Sequence, residues 1–168
     1  MRGPIADYYA QGNKRLLALL DKCILGDGRI DRSQFDFFRH QLLRQVSSEE
    51  KILAPALAAK LGHQPPDREG LRKDHAAIAA LFVPTPCEEW VENLSELLVH
   101  HNRLEESADG FFALCDRSLA DYAKSIVLAV STLPPLRLGP FNDGPLVRQL
   151  LARVLAESGI AGTTQVPH

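Results

Sequence analysis

Cysteine is scarce in this chain and poorly placed for bridging: Cys23, Cys87 and Cys115 are odd in number, far apart, and include no Cys-x-x-Cys pair. That argues against a disulfide framework or a thiolate metal site and points to a reducing compartment. Long apolar runs are missing too, both at the N-terminus (Met1-Arg2-Gly3-Pro4) and elsewhere. Neither a secretory leader nor a bilayer-spanning helix is therefore expected, and a cytoplasmic location is the default. There is no excess of one charge, since 19 Lys and Arg stand against 21 Asp and Glu. No basic cluster is set apart to neutralise a run of phosphates, so nucleic acid is not an expected partner, and neither is a membrane. A Gly-rich phosphate loop and a nucleophile elbow are both lacking, and nothing marks the chain as an enzyme. Gly26-Asp27-Gly28 resembles the second half of a calcium loop, but Cys23, Leu25 and Gln34 occupy its ligand positions and argue against calcium.

What is present is a soluble, foldable composition of 168 residues, 45% hydrophobic and 24% charged, enough for one main core. Apolar residues recur at helical spacing and never alternate as in a strand. The first helical segment runs from about Asp7 to Leu25. A second opens at Asp31 or Ser33 and reaches Gly62, with Pro55 expected to kink it or end it near Leu53. A third, capped by Asp67, extends to Phe82, and a fourth runs from Cys87 through Phe112. The expected fold is all-α: an antiparallel up-down-up-down four-helix bundle over residues 1–133, with Leu119 to Val130 a further helix or a continuation of the fourth. Residues 134–168 read as a Pro- and Gly-rich linker and an amphipathic helix, Leu146 to Leu155, ending at Gly159. That helix packs on the bundle or mediates association, for instance as a homodimer.

Some stripes that must turn inward carry polar groups. In the second segment the series Phe38, Leu42, Gln45, Glu49, Ile52 and Ala56 holds an amide and a carboxylate; in the fourth, His101 and Glu105 lie one turn apart between Leu98 and Phe112. The third adds His75 and the first Asn13. An ionised carboxylate in an apolar core costs several kcal/mol unless compensated. A cation compensates two of them, and mixed imidazole and carboxylate ligands suit iron, manganese or zinc. The candidate ligands are Glu49, His75, His101 and Glu105. The alternative is that the glutamates flank their helices and pair with Arg44, Lys51 or Arg103, leaving two ordinary core histidines. Glu50, Glu106 and His100 fall off the inward stripes, as solvent-facing groups or as second-layer partners of the ligands. His40, His63 and His168 are not expected to be ligands.

These residues resemble the hemerythrin-like, or HHE cation-binding, family across roughly residues 5 to 115. Asn13-Lys14-Arg15-Leu16-Leu17 is similar to the family's first element, with Asn where His is usual. Gln45-Val46-Ser47-Ser48-Glu49-Glu50 is similar to the second, with Gln where His is usual. Asp74-His75 and His101-Asn102-Arg103-Leu104-Glu105-Glu106 match the third and fourth. The resemblance implies that one iron of the family's pair has lost its imidazoles, with Asn13 and Gln45 as weaker replaced-ligand positions. The other iron keeps His75 and His101, with Glu49 and Glu105 as the bridging carboxylates. Ala79 stands where oxygen carriers place another His. The implied function is non-haem metal binding, one iron favoured over two, with another divalent transition metal or none left open. Water or a diatomic ligand such as dioxygen or nitric oxide would occupy the open positions, for sensing or redox handling. The rival is a metal-free bundle serving as a structural or interaction domain. A ferritin-like oxidase fits less well, because that class spaces Glu-x-x-His.

Overall fold

The computed structural model describes residues 2–134 and 136–157, so Gly159 and His168 lie outside the described residues. The chain is helical: α1 Pro4–Asp21, α2 Arg32–Ser48, a π-helical turn Glu49–Leu53, α3 Ala54–Leu61, α4 Arg68–Leu81 and α5 Glu88–Glu106. After these come α6 Phe111–Ser118, a 3₁₀ turn Ala120–Tyr122, α7 Ala123–Ser131 and α8 Pro145–Glu157. Among the described residues no strand forms beyond a single bridge, Ile24 to Ile30, and no helix is long and apolar enough to cross a membrane.

Helix α1 begins earlier than the apolar stripe suggests, because Pro4 fits the first helical position, where its missing N–H costs nothing. No local side chain caps it. Instead Asp116 of α6 accepts from the backbone N–H groups of Ile5 and Ala6 at 2.9 and 3.0 Å. Gly3 leaves room for that carboxylate, since a Cβ there would meet both its oxygens at 2.6 Å. Asp116→Ala is expected to cost about 1–2 kcal/mol in urea unfolding, a lost cap and helix-dipole partner. Helix α2 is capped by Asp31, which accepts from Ser33 and Gln34.

Pro55 does not end the second segment. The helix widens instead, the Ala54 N–H reaching back to the Glu49 carbonyl, and continues to Gly62, which takes the left-handed conformation. A π turn gives room to a proline ring that would clash with the carbonyl four residues back. Beyond Glu49 the fully buried residues are Leu53 and Leu57 in place of the expected Ile52 and Ala56. Further expectations are corrected. Asp67 makes no side-chain cap and sits in the left-handed region, which a short polar residue tolerates. The fourth segment stops at Glu106, so Phe112 belongs to α6; Gly110 caps that helix where a Cβ would fall 2.6 Å from the Glu105 carbonyl. Of Leu119 to Val130, the part from Ala123 forms the expected further helix, α7, after the 3₁₀ turn, and it is not an extension of α5.

The core divides into two apolar clusters. Each long segment contributes to both, with a buried polar residue between its two contributions. In α1, Ile5 and Tyr9 belong to one cluster and Leu16 and Leu20 to the other, with Asn13 between. From α2 into α3 the order reverses: Phe35 to Val46, then Glu49, then Leu53 and Leu57. It reverses again in α4 (Leu71, His75, Ile78) and in α5 into α6 (Leu94, His101 and Glu105, Phe112). Helix α8 packs on α4, burying Leu151 and Leu155 in the cluster that holds Ile78 and Leu81. The linker ahead of it is strapped down by Arg39, which donates to the carbonyls of Phe82 and Gly139 and lies 4.2 Å over the Phe141 ring.

Candidate metal centre

The four residues singled out by their inward positions meet at one point. Glu49, His75, His101 and Glu105 are each 1–6% exposed, and one donor atom from each lies within 4.8 Å of all the others. Donors bound at about 2.0–2.2 Å to a common ion can be no more than about 4.4 Å apart. The four donors are thus gathered closely enough to be candidates for one shared cation.

Both imidazoles are oriented by their far nitrogens. His75 Nδ1 lies 2.6 Å from Glu50 and His101 Nδ1 lies 3.1 Å from Asp74. A carboxylate only accepts, so each ring carries a proton on Nδ1 and turns Nε2 into the centre. Glu50 is in turn gripped by Arg68, whose guanidinium, with help from His75, holds that carboxyl down at about 2 despite partial burial. The two Nε2 atoms face each other at 3.2 Å. If both rings are neutral, that contact sets one lone pair against another.

The carboxylates are equally short of partners. All four oxygens of Glu49 and Glu105 are buried and lack a hydrogen bond. His75 Nε2 is 3.1 Å from Glu49 and His101 Nε2 is 3.3 Å from Glu105, which is ion-pair range without hydrogen-bond alignment. Two ionised glutamates and two neutral imidazoles carry a charge that a divalent cation balances. Without one, protons must serve. Burial opposes charging of both rings, but Glu49 and Glu50 outweigh it at His75, and Glu105, Asp74 and Glu49 outweigh it at His101, so both are raised. Burial, with the charge of Glu49, pushes the Glu105 carboxyl up to about 7.

The alternative pairing does not occur: Arg44 donates to the Ser131 carbonyl, and Glu49 and Glu105 pair with neither Lys51 nor Arg103 among the described residues. Asn13 and Gln45 are engaged with each other. Gln45 Nε2 donates to Asn13 Oδ1 at 2.6 Å, and Asn13 Nδ2 donates to Glu106, which also binds Arg2. Gly12 leaves space for Gln45 beside α1. Of the off-stripe groups, Glu50 and Glu106 reach inward as partners, while His100 is exposed, His40 lies 3.8 Å from Asp36 and His63 bonds the Gln64 carbonyl.

Three participants were given no role by the pattern reading. Asp74 precedes His75 and so points about a quarter-turn away, toward α5; the signal was its adjacency to a ligand. Arg68 is eighteen residues from Glu50 and left no local trace. Tyr9 is buried, donates to or accepts from Ser48 at 2.7 Å, and has its phenol pushed far up by burial and by the Glu49 charge, so it stays neutral. All three cysteines are free, Cys23 and Cys115 buried and Cys87 exposed. Comparisons with protein-family models, curated proteins and solved structures find no match to this chain. What the centre can do therefore has to be read from its own donor set.

Proposed function

We propose that this chain is a hemerythrin-like bundle that binds one divalent transition-metal ion, iron first among the candidates, through Glu49, His75, His101 and Glu105. The observation that carries the reading is the pair of inward Nε2 atoms at 3.2 Å, set among four buried carboxylate oxygens without hydrogen bonds. Such groups are destabilising as they stand, and a cation turns them into ligands. The reversing order in which each segment visits the two apolar clusters supports an antiparallel up-down-up-down arrangement. The hydrogen bond from Gln45 to Asn13 favours one ion over two, because the two side chains are engaged with each other. Four protein ligands leave room at a six-coordinate metal for water or a diatomic gas. Because two-electron carriage of dioxygen draws on two irons, the single ion suits sensing or redox handling better than transport.

A second reading rests on the His–Glu distances of 3.1 and 3.3 Å, which also suit protonated imidazoles in a metal-free structural or interaction domain. Elemental analysis separates the two. Protein purified without chelator, then offered Fe(II), Mn(II) or Zn(II), is expected to retain about one equivalent per chain. Glu49→Ala and His101→Ala should each lose it. Wild-type protein that retains no metal, or stoichiometric iron in both variants, rules the site out.

A further inference from the structure

A cavity of about 300 Å³ lies between α1, α2 and α7, and its charges are unbalanced. Arg15 and Arg44 line it and no acidic side chain does. Neither arginine forms an ion pair with an acid among the described residues. Arg44 has one amino group on the Ser131 carbonyl, while its Nε is buried without a hydrogen-bond partner. What the cleft offers a ligand is two guanidinium charges without an acidic partner, and a carboxylate is a group that pairs with a guanidinium in good geometry. Leu16, Leu19 and Phe37 supply an apolar wall, and the Phe37 ring is 52% exposed at its rim. The amides of Gln41 and Gln45 add neutral polar groups. By contrast, the larger groove beside α4, about 970 Å³, contains Asp67 and Glu69, and two of its three cations are already spoken for: Arg68 by Glu50 and Lys73 by Glu69.

We propose that the cleft between α1, α2 and α7 binds a small organic carboxylate, its charge meeting Arg15 and Arg44 and its apolar part lying on Leu16, Leu19 and Phe37. The volume is at the low end of small-ligand pockets, about 300–1,000 Å³, so the ligand is small. The binding requires no metal. The cleft nonetheless touches the centre's surroundings, since Gln45 on its wall bonds Asn13 and Ser48 on its wall precedes Glu49.

Calorimetric titration of the full chain with benzoate and with octanoate tests this, with inorganic phosphate as the comparison anion. Saturable binding of at least one carboxylate at one per chain is expected, with amide shift changes at Gly12 and Gln45 in the NMR spectrum. Arg44→Met and Arg15→Met should each weaken binding roughly tenfold to a hundredfold, the worth of a hydrogen bond to a charged group. Arg153→Met on α8 should leave it unchanged. Arg15 is exposed, so its variant remains informative if Arg44→Met does not fold. The proposal is overturned if neither carboxylate saturates, if folded Arg15→Met binds as wild type does, or if phosphate binds more tightly than both.

Discussion

Metal-free protein carrying Glu105→Met is expected to unfold at higher urea than metal-free wild type, by about 1–3 kcal/mol, the usual cost of a buried acceptor left without a hydrogen bond. Glu105 is 1% exposed, its oxygens have no hydrogen bonds, and Glu49 crowds it with like charge. Methionine removes that repulsion while filling the same space. The effect carries a pH signature. The folded-state pKa of Glu105 is raised above its unfolded value, so this carboxyl's contribution is fully present below about 4.5 and is lost as pH rises through about 7. The advantage of the methionine variant is therefore largest above pH 7 and shrinks on acidification. If the centre binds metal as proposed, adding it is expected to reverse the ranking: wild type would gain about 4 kcal/mol at a thousandfold excess over its dissociation constant, and the variant little. A variant less stable than metal-free wild type across this pH range would show that the glutamate is a satisfied ion-pair partner.

Phe112→Ala is expected to cost about 3–5 kcal/mol, read from the shift of the urea midpoint at constant slope. The ring is fully buried and stacks on Tyr9 at 4.6 Å with an interplanar angle of 11°. Removing it opens a cavity and frees Tyr9, whose hydroxyl is bonded to Ser48 next to Glu49. Some loss of metal affinity should accompany the loss of stability. A cost under 1 kcal/mol would mean that the site collapses around the gap.

The helices and the four central residues were legible because helical periodicity is a local signal. A glutamate four residues beyond His101, or in phase with Phe38 and Leu42, must share their face whatever else the chain does. Features set by other parts of the chain were not legible. The widened turn before Pro55 was hidden because periodicity assumes a constant rise and twist. Asp116 left no local trace, yet it caps a helix more than a hundred residues earlier. The break after Glu106 did have a local sign, the turn-forming run Ser107-Ala108-Asp109-Gly110, but the apolar stripe through Phe112 concealed it. Phase placed Asn13 and Gln45 on inward stripes and only the family resemblance made them weak ligands; their preference for each other depends on the approach of two helices at Gly12.

The way the chain threads its two apolar clusters has a consequence for dissection. Both are assembled from every long segment in turn, so no cut in the sequence separates one from the other. A fragment ending in the loop at residues 62–67 would take Glu49 with it and leave both imidazoles and Glu105 behind. Neither half is a minimal domain waiting to be trimmed out, and each half lacks what the other needs to stay dry.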